Sequence, residues 1–149
     1  MRLDANEIEL ILDNVIYSKK QKGKFSFDVT VKNIFKLKNP GRIDFGGSEY
    51  KPVDKEIILP LKITKEDKYG WWDLEEGEYI VEFNETVKKT SNVILQLENH
   101  PRLILAGASI KCYTLKENSI ETILSVIKTG LKIKENARIA CINAFKVDS

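Results

Sequence analysis

The feature that most constrains this chain is a series of short apolar runs, separated by turn-forming residues, that occupies residues 25–145. In the first run, every second residue over positions 25–31 is apolar. Such alternation predicts a half-buried β-strand, because successive side chains of a strand point to opposite faces. Further strands are predicted at 56–63, 79–83, 92–97, 103–106, 109–115, 122–128 and 137–145. Many short strands at this spacing, with almost no helix, are typical of an all-β sandwich or closed barrel.

One helix is predicted near the start, over residues 5–14. Asp4 followed by Glu7 resembles a capping box, in which each side chain accepts a hydrogen bond from the backbone of the other residue. Ile8, Ile11 and Val15 contribute to an apolar side. The β-barrel is then expected over residues 25–147, and the whole chain, 1–149, is expected to form one domain because 149 residues can bury an ordinary core.

Charge gives no strong indication of a nucleic-acid partner. The 24 basic and 22 acidic side chains leave a net charge of +2 and a mixed surface. Segment 18–24 contains four lysines; a solvated loop is expected there, with a phosphate-contacting arm as the alternative. No apolar run approaches the roughly 18 residues of a membrane span, and the start lacks the apolar core of a signal peptide. We therefore expect a cytoplasmic protein without a membrane partner.

Few residues suggest a catalytic centre by themselves. Cys112 and Cys141 lie in apolar runs without metal-ligand spacing, so both are expected to be reduced and buried, and no metal site is predicted. The single histidine, His100, lies in a predicted turn, where a surface or structural role is expected more than a catalytic one. Trp71 and Trp72 are expected to close one end of the barrel because indole rings bury a large area. Stacking on a base is the alternative role for this pair.

Two segments resemble the dUTPase and dCTP deaminase superfamily. Its Gly-x-Tyr-x-Val-x-x-Asn-Glu-x-Val frame is matched by Gly77, Tyr79, Val81, Asn84, Glu85 and Val87. Residues 136–142 resemble its Gly-x-Arg-Ile-Ala-Gln segment, with Asn136 at the glycine position. The opening residues 3–8 and the run 25–31 are similar to its first helix and strand. The resemblance covers nearly the whole chain and implies a distorted jelly-roll, or β-clip, barrel of the dUTPase-like type with a short N-terminal helix.

The same resemblance implies a ligand and an assembly. Members of the family act on deoxynucleoside triphosphates, and Mg²⁺ is expected only where such a triphosphate is bound. They assemble as homotrimers, with active sites formed between subunits. A homotrimer of deoxynucleotide metabolism is therefore the expectation from the family.

The chain departs from the family at the catalytic positions. Where the family binds triphosphate through Pro-Arg-Ser-Ser-Leu, residues 99–103 are Asn-His-Pro-Arg-Leu. Lys116 stands at the position of the water-activating aspartate, and no aspartate occurs between Asp73 and Asp148. Residues 123–128, where the deaminases have a proton-shuttling glutamate, contain no carboxylate, and Cys141 replaces a phosphate-contacting glutamine. An ammonium group cannot accept a proton from water at neutral pH unless burial strongly depresses its pKa.

Three other carboxylates offer a replacement for the missing aspartate: Glu117, Glu121 and Asp28. A one-residue shift would bring Glu117 to the aspartate position, but strand alternation would turn it to the opposite face unless a bulge corrects this. The resemblance places a nucleotide against residues 109–118. It suggests His100, Arg102, Lys111, Tyr113 and Lys116 as nucleotide-binding residues, with Tyr113 stacking on the base and the lysines facing phosphates. The alternative is that Tyr113 is a core aromatic and the lysines face solvent.

The sequence leaves three functions open. The first is a catalytically impaired homologue that binds a nucleotide or a protein partner in the altered pocket. The second is an active dUTP diphosphatase, converting dUTP to dUMP and pyrophosphate, with a rearranged carboxylate. The third is a structural or interaction subunit of a family-type oligomer. Whether the chain is an enzyme is therefore decided by the position of its carboxylates in the fold.

Overall fold

The computed structural model describes residues 1–147 and consists mainly of β-strands. In chain order the elements are α1 (Ala5–Glu9), β1 (Leu12–Asp13), α2 (Ser18–Gln21), β2 (Phe27–Leu37), β3 (Lys55–Ile58), β4 (Trp71–Leu74), β5 (Gly77–Val87), β6 (Val93–Asn99), α3 (Pro101–Ala106), β7 (Ala108–Ile110), β8 (Tyr113–Thr114), β9 (Asn118–Val126), β10 (Leu131–Lys134) and β11 (Arg138–Lys146). Asp148 lies outside the described residues. None of the helices within residues 1–147 has the length and apolar character needed to cross a membrane.

Within the described residues, nine strands form one antiparallel sheet that curls into a barrel-like shape. Their order is β7-β9-β5-β2-β11-β6-β8, with β1 beside β5 and β3 beside β2. Only Lys111 and Cys112 separate β7 from β8 in the chain, although these strands lie at opposite ends of that order. The sheet must therefore bend until its two edges approach each other. This architecture confirms the predicted all-β fold class.

The core lies inside the curled sheet and follows the alternation that predicts the strands. Its fully buried apolar side chains include Phe27, Val29, Val31, Ile34, Val81, Leu97, Ile120, Leu124 and Ile142. Each such side chain stabilises the fold by about 1.5–3 kcal/mol relative to an exposed one. The separate ribbon of β4 and β10 covers part of this core with Trp72, whose indole N–H donates to the Ile58 carbonyl oxygen at 2.7 Å. Trp72 thus has the buried role expected for the tryptophan pair.

The N-terminal helix is shorter than predicted and ends at Glu9 instead of residue 14. The capping box is present: the Glu7 N–H donates to Asp4 Oδ1 at 2.9 Å, and the Asp4 N–H donates to Glu7 Oε1 at 3.1 Å. The chain leaves the helix because β1 pairs with β5, and Asn14 has a left-handed φ of 64°. Strand pairing therefore overrides the helical apolar pattern of this segment.

The predicted strand at 103–106 is wrong, because these residues belong to the helix α3. His100 caps this helix, with Nδ1 accepting from the Arg102 N–H at 3.1 Å, and Pro101 occupies the first turn. Gly107 ends the helix with a φ of 101°. Proline at the start and glycine past the end are the usual helix signals, and here they override the strand-like apolar run.

Other differences follow from the curvature of the sheet. The predicted strand 109–115 is interrupted at residues 111–112, where the chain crosses between the two sheet edges. That crossing exposes Cys112, and Cys141 is only partly buried, so the expectation of two buried cysteines is wrong. The predicted strand 56–63 ends at Ile58, before Pro60, which has no N–H for a strand ladder. The predicted loop at 18–24 contains the short helix α2.

Candidate functional site

A buried carboxylate on β5, that of Glu85, connects this strand with β2 and α2. Glu85 accepts hydrogen bonds from the Thr30 N–H at 2.8 Å, from Thr30 Oγ1 at 2.7 Å and from Gln21 Nε2 at 2.7 Å. Gln21 in turn accepts from the N–H groups of Ile16 and Tyr17. Burial raises the pKa of Glu85, while its hydrogen bonds with Thr30 and Gln21 act in the opposite direction. The glutamate of the family frame is thus a structural group in this chain.

The two family-like segments contact each other beside this carboxylate. Asn84 Nδ2 donates to Asn136 Oδ1 at 2.9 Å and to Thr30 Oγ1 at 3.0 Å. Asn136 has a left-handed φ of 66°, a conformation that asparagine tolerates better than most residues other than glycine. The local backbone therefore explains why a glycine position of the family accepts asparagine here.

Asp28, one of the three candidate carboxylates, lies among cations. Its Oδ2 accepts from Arg138 Nη1 at 3.1 Å and lies 3.6 Å from His100 Nε2. Arg138 also donates to the Lys20 carbonyl oxygen at 2.8 Å. Burial raises the pKa of Asp28, and the neighbouring His100, Arg138 and Arg102 oppose this effect. We name Asp28, His100, Arg102 and Arg138 the Asp28 cluster; in it the carboxylate is already engaged by Arg138.

His100 connects α3 with Asp28. Because its Nδ1 accepts the Arg102 N–H, a neutral ring carries its proton on Nε2, which faces Asp28. The structural role expected for His100 is therefore present in the helix cap. The predicted nucleotide-binding roles of His100 and Arg102 would bring a phosphate beside the Asp28 cluster.

A second group of predicted residues surrounds a cavity of about 540 Å³. We name it the Tyr113 pocket, and its lining includes Lys55, Lys111, Cys112, Tyr113, Glu121 and Thr122. Small-molecule sites in proteins are typically about 300–1,000 Å³. Of the predicted residues, the fold brings Lys111, Tyr113 and Glu121 together here, from the link between β7 and β8, from β8 and from β9. Lys55 and Thr122 were not identified from the sequence, because neither belongs to a motif.

Tyr113 is fixed at the mouth of this pocket by backbone contacts. Its hydroxyl donates to the Glu121 carbonyl oxygen at 2.8 Å, and Thr122 Oγ1 donates to the Lys111 carbonyl oxygen at 2.6 Å. Partial burial raises the pKa of Tyr113, and the nearby Glu121 charge contributes to the same direction. The residue is 38% exposed, so the alternative that Tyr113 is a core aromatic is wrong.

The carboxylate of the Tyr113 pocket has a cationic partner. Lys55 Nζ forms an ion pair with Glu121, and the two residues lie on β3 and β9. The same ammonium group lies 4.3 Å from the centroid of the Phe35 ring, a cation–π contact that fixes its position. A polyphosphate that entered the pocket would compete with Glu121 for Lys55.

Lys116 and Glu117 lie at a different cavity. It measures about 280 Å³ and is also lined by Lys88 and Lys89. Leu115 is buried, and its N–H donates to the Leu95 carbonyl oxygen at 2.8 Å, which anchors the chain on the β6 side before Lys116. The predicted site residues therefore occupy three places in one chain: the Tyr113 pocket, the Asp28 cluster and this lysine-rich cavity.

Comparison with solved structures identifies the fold. The 2′-deoxycytidine 5′-triphosphate deaminase of Agrobacterium tumefaciens superposes with a TM-score of 0.66 at 11% identity, over 96% of this chain and 46% of that chain. The present chain thus spans less than half the length of the deaminase chain. The curled antiparallel sheet is the fold of the dUTPase and dCTP deaminase class of proteins.

Comparison of sequences narrows this class to a family. A probable deoxyuridine 5′-triphosphate nucleotidohydrolase of Methanosarcina mazei is 32% identical over 133 residues, which cover 87% of this chain and 74% of that protein. A protein of the same name from Methanosarcina acetivorans is 28% identical over 143 residues, or 93% of this chain and 80% of that protein. No protein-family model matches the sequence. The similarity to the first relative shows that the chain belongs to the dUTPase family.

Proposed function

We propose that this dUTPase-related protein binds a deoxynucleoside triphosphate in the Tyr113 pocket and hydrolyses it poorly. Tyr113 provides an exposed ring on which a base stacks, and Lys111 provides a charge for the phosphates while Lys55 stays paired with Glu121. Stacking of a base on an aromatic side chain contributes about 1–3 kcal/mol. The proposed ligand, a nucleotide, is of the kind that the family binds. The proposed catalytic step differs from that of the family in being slow.

The observation that carries the proposal is the ion pair between Glu121 and Lys55. A general base must offer a free oxygen to water, and such a base typically contributes about 10²- to 10⁴-fold to a rate. In the Tyr113 pocket the carboxylate is held by an ammonium group, and Asp28 is held by Arg138. By resemblance, Lys116 occupies the sequence position of the family aspartate. These arrangements support weak hydrolysis.

An active dUTP diphosphatase is the second candidate, with Glu121 as the base. Two observations favour it: Glu121 lines the same cavity as Tyr113, and the relatives are named as dUTP nucleotidohydrolases. In this mechanism the triphosphate draws Lys55 away, and Glu121 then accepts a proton from the attacking water. The products are dUMP and pyrophosphate.

The assembly and the metal follow from the same proposal. We propose a homotrimer in the cytoplasm, in which residues 1–149 form one domain and each site combines groups of neighbouring subunits. The separation of the predicted residues into three places within one chain supports shared sites. Mg²⁺ would accompany a bound nucleoside triphosphate, because the phosphate oxygens are ligands that this ion prefers.

Titration calorimetry with dUTP, dCTP and dTTP tests the binding site. We expect at least one nucleotide to bind, and Tyr113→Ala to weaken that binding by about tenfold through the loss of stacking. Tyr17→Ala is the matched control, because Tyr17 is exposed on another part of the molecule. Absence of binding heat with all three nucleotides would contradict the proposal.

Pyrophosphate release from dUTP in the presence of Mg²⁺ distinguishes the two candidates. We expect slow release that Glu121→Gln leaves unchanged. Release at an enzyme-like rate, reduced about 100-fold or more by Glu121→Gln, would instead establish the second candidate. Glu117→Gln serves as the control, since Glu117 lines a different cavity.

A further inference from the structure

The ribbon of β4 and β10 has an open edge that the nucleotide site does not use. Within residues 1–147, β10 pairs with β4 and with no other strand. The other edge of β4 is partly paired, because Trp71 forms a β-bridge with Leu61. The outer edge of β10 is therefore the end of this small sheet. Unpaired strand edges expose N–H and C=O groups on which another extended chain can pair.

The register shows which backbone groups point outward. The Glu135 N–H donates to the Gly70 carbonyl oxygen at 3.0 Å, so this pair is of the hydrogen-bonded type. Hydrogen-bonded and non-hydrogen-bonded pairs alternate along an antiparallel ladder. The next pair, Lys134 with Trp71, is consequently non-hydrogen-bonded, as is Lys132 with Asp73. The N–H groups of Lys132 and Lys134 and the Lys132 carbonyl group therefore point away from β4, toward the open edge, whereas the Lys134 carbonyl oxygen accepts the Ala137 N–H at 3.1 Å.

A cavity of about 360 Å³ lies along this edge, and α3 contributes to its other wall. Consecutive residues of β10 line it, as expected for a cavity beside a strand edge. Among residues 1–147, its lining includes four cationic side chains and no carboxylate: Arg102, Lys132, Lys134 and Arg138. Asp73 lies opposite Lys132 across the ribbon and lines a neighbouring cavity that Lys132 also lines, and Arg138 is partly neutralised by Asp28. The remaining positive charge defines the chemistry of the groove, because the side chains of Leu131 and Ile133 are buried in the core.

The outward backbone groups of β10 and the cationic side chains of the groove favour one kind of ligand. A second copy of β10 would bring lysines against lysines, and edge lysines are a common protection against such pairing. A single-stranded nucleic acid would need a free aromatic face, but Lys134 Nζ already lies 5.6 Å from the centroid of the Trp71 ring. An extended acidic peptide satisfies both the outward N–H and C=O groups and the charges.

We propose that the groove between β10 and α3 binds an extended acidic segment of a partner protein, which adds to the β10 edge as an antiparallel or parallel strand. Main-chain hydrogen bonds to Lys132 and to the Lys134 N–H hold the segment. Acidic side chains of the segment contact Lys132, Lys134 and Arg102. Addition of a strand to an exposed edge is a recurring mode of peptide recognition.

Fluorescence anisotropy of the full chain with a labelled ten-residue peptide of alternating glutamate and valine tests this site. We expect saturable binding that the double variant Lys132→Glu, Lys134→Glu weakens by about tenfold or more through charge repulsion. The double variant Lys36→Glu, Lys146→Glu changes the net charge equally at exposed positions elsewhere and should alter the affinity less than about twofold. Equal weakening by both double variants would overturn the proposal.

Backbone methylation separates strand addition from charge attraction alone. Two versions of the peptide carry N-methyl groups on alternate residues, one version in each register. We expect one version to lose binding and the other to retain it, because alternate residues of a strand point their N–H groups to opposite edges. Equal binding of both versions would overturn the proposal. So would a single-stranded oligothymidylate that binds more tightly than the peptide and shows the same sensitivity to the lysine variants.

Nucleotide binding in the Tyr113 pocket is an independent property. The Lys132→Glu, Lys134→Glu variant should keep the wild-type response to deoxynucleoside triphosphates, because neither lysine lines that pocket. Failure of the peptide to bind would therefore leave the proposed function intact. Likewise, absence of nucleotide binding would not contradict peptide binding in this groove, which the peptide titration tests separately.

Discussion

Glu85 satisfies buried donors from two parts of the chain, the Thr30 backbone and hydroxyl on β2 and the Gln21 amide of α2. Removing its carboxylate leaves these groups in the interior without an acceptor, and each unsatisfied buried group costs about 1–3 kcal/mol. We expect Glu85→Ala to lower the free energy of unfolding by about 3 kcal/mol or more, as measured by urea denaturation. The exposed Glu78 lies on the same strand, and Glu78→Ala should change stability by less than about 0.5 kcal/mol. Equal effects of the two substitutions would contradict this structural role.

Some residues of the candidate site can be identified from the sequence alone, and others cannot. The resemblance supplied Lys111, Tyr113 and Glu121, and these residues line one pocket. It did not supply Lys55, because the partner of Glu121 is 66 residues away in sequence and belongs to no motif. Contacts between distant strands depend on sheet order, which a motif does not encode. Lys55 therefore became visible only in the folded chain.

At the scale of elements, α3 depends on the residue that ends it. Gly107 has a left-handed φ of 101°, and a Cβ placed on it would lie 3.0 Å from Ile127 Cδ1. We expect Gly107→Ala to destabilise the protein by about 1–2 kcal/mol, because alanine avoids this conformation and Ile127 must shift. For a chain of this length, thermal denaturation should show a loss of several degrees. Gly46→Ala, at a position with no heavy atom within 4 Å of the added Cβ, is the matched control and should have little effect.

Whether a predicted element forms as a strand or as a helix depends on the interaction that is strongest in its own segment. Alternating runs such as Phe27–Leu37 became strands because their apolar face covers the core. The run 103–106 became helical because Pro101 and Gly107 set its ends. β4 has no clear alternation, and the alternation of β10 spans only four residues; the two strands form because they pair with each other over the core. Local pattern therefore predicts long strands well and short, paired segments poorly.

At the scale of the whole molecule, proton binding is linked to folding. Burial raises the pKa of Glu85 above its ordinary value of 4.5, so the folded state binds this proton more tightly than the unfolded chain. The resulting stabilisation is fully present below the unfolded pKa and is lost as the pH rises through the folded pKa. The pKa of Asp28 is also raised, and its contribution has the same sign.

We therefore expect the free energy of unfolding of the wild type to fall, relative to that of Glu85→Gln, as the pH rises above about 4.5. Urea titrations at pH values from about 4.5 to about 7.5 measure this difference. The control variant Glu78→Gln keeps the buried Glu85 carboxylate, so its free energy of unfolding should depend on pH as that of the wild type does. A wild-type curve parallel to that of Glu85→Gln across this range would show that Glu85 does not contribute the expected linkage.

The β-rich class, the apolar faces of the strands, the capping box at Asp4 and Glu7, and the resemblance to the dUTPase family can all be recognised before the chain folds. These properties depend on neighbouring residues or on short motifs, so a single chain records them directly. Folding alone pairs Glu121 with Lys55, separates Lys116 and Glu117 from Tyr113, and sets the outer edge of β10 beside a cationic groove. Those properties depend on which strands become neighbours when the sheet curls, and that choice minimises the free energy of the whole core and not of any one segment.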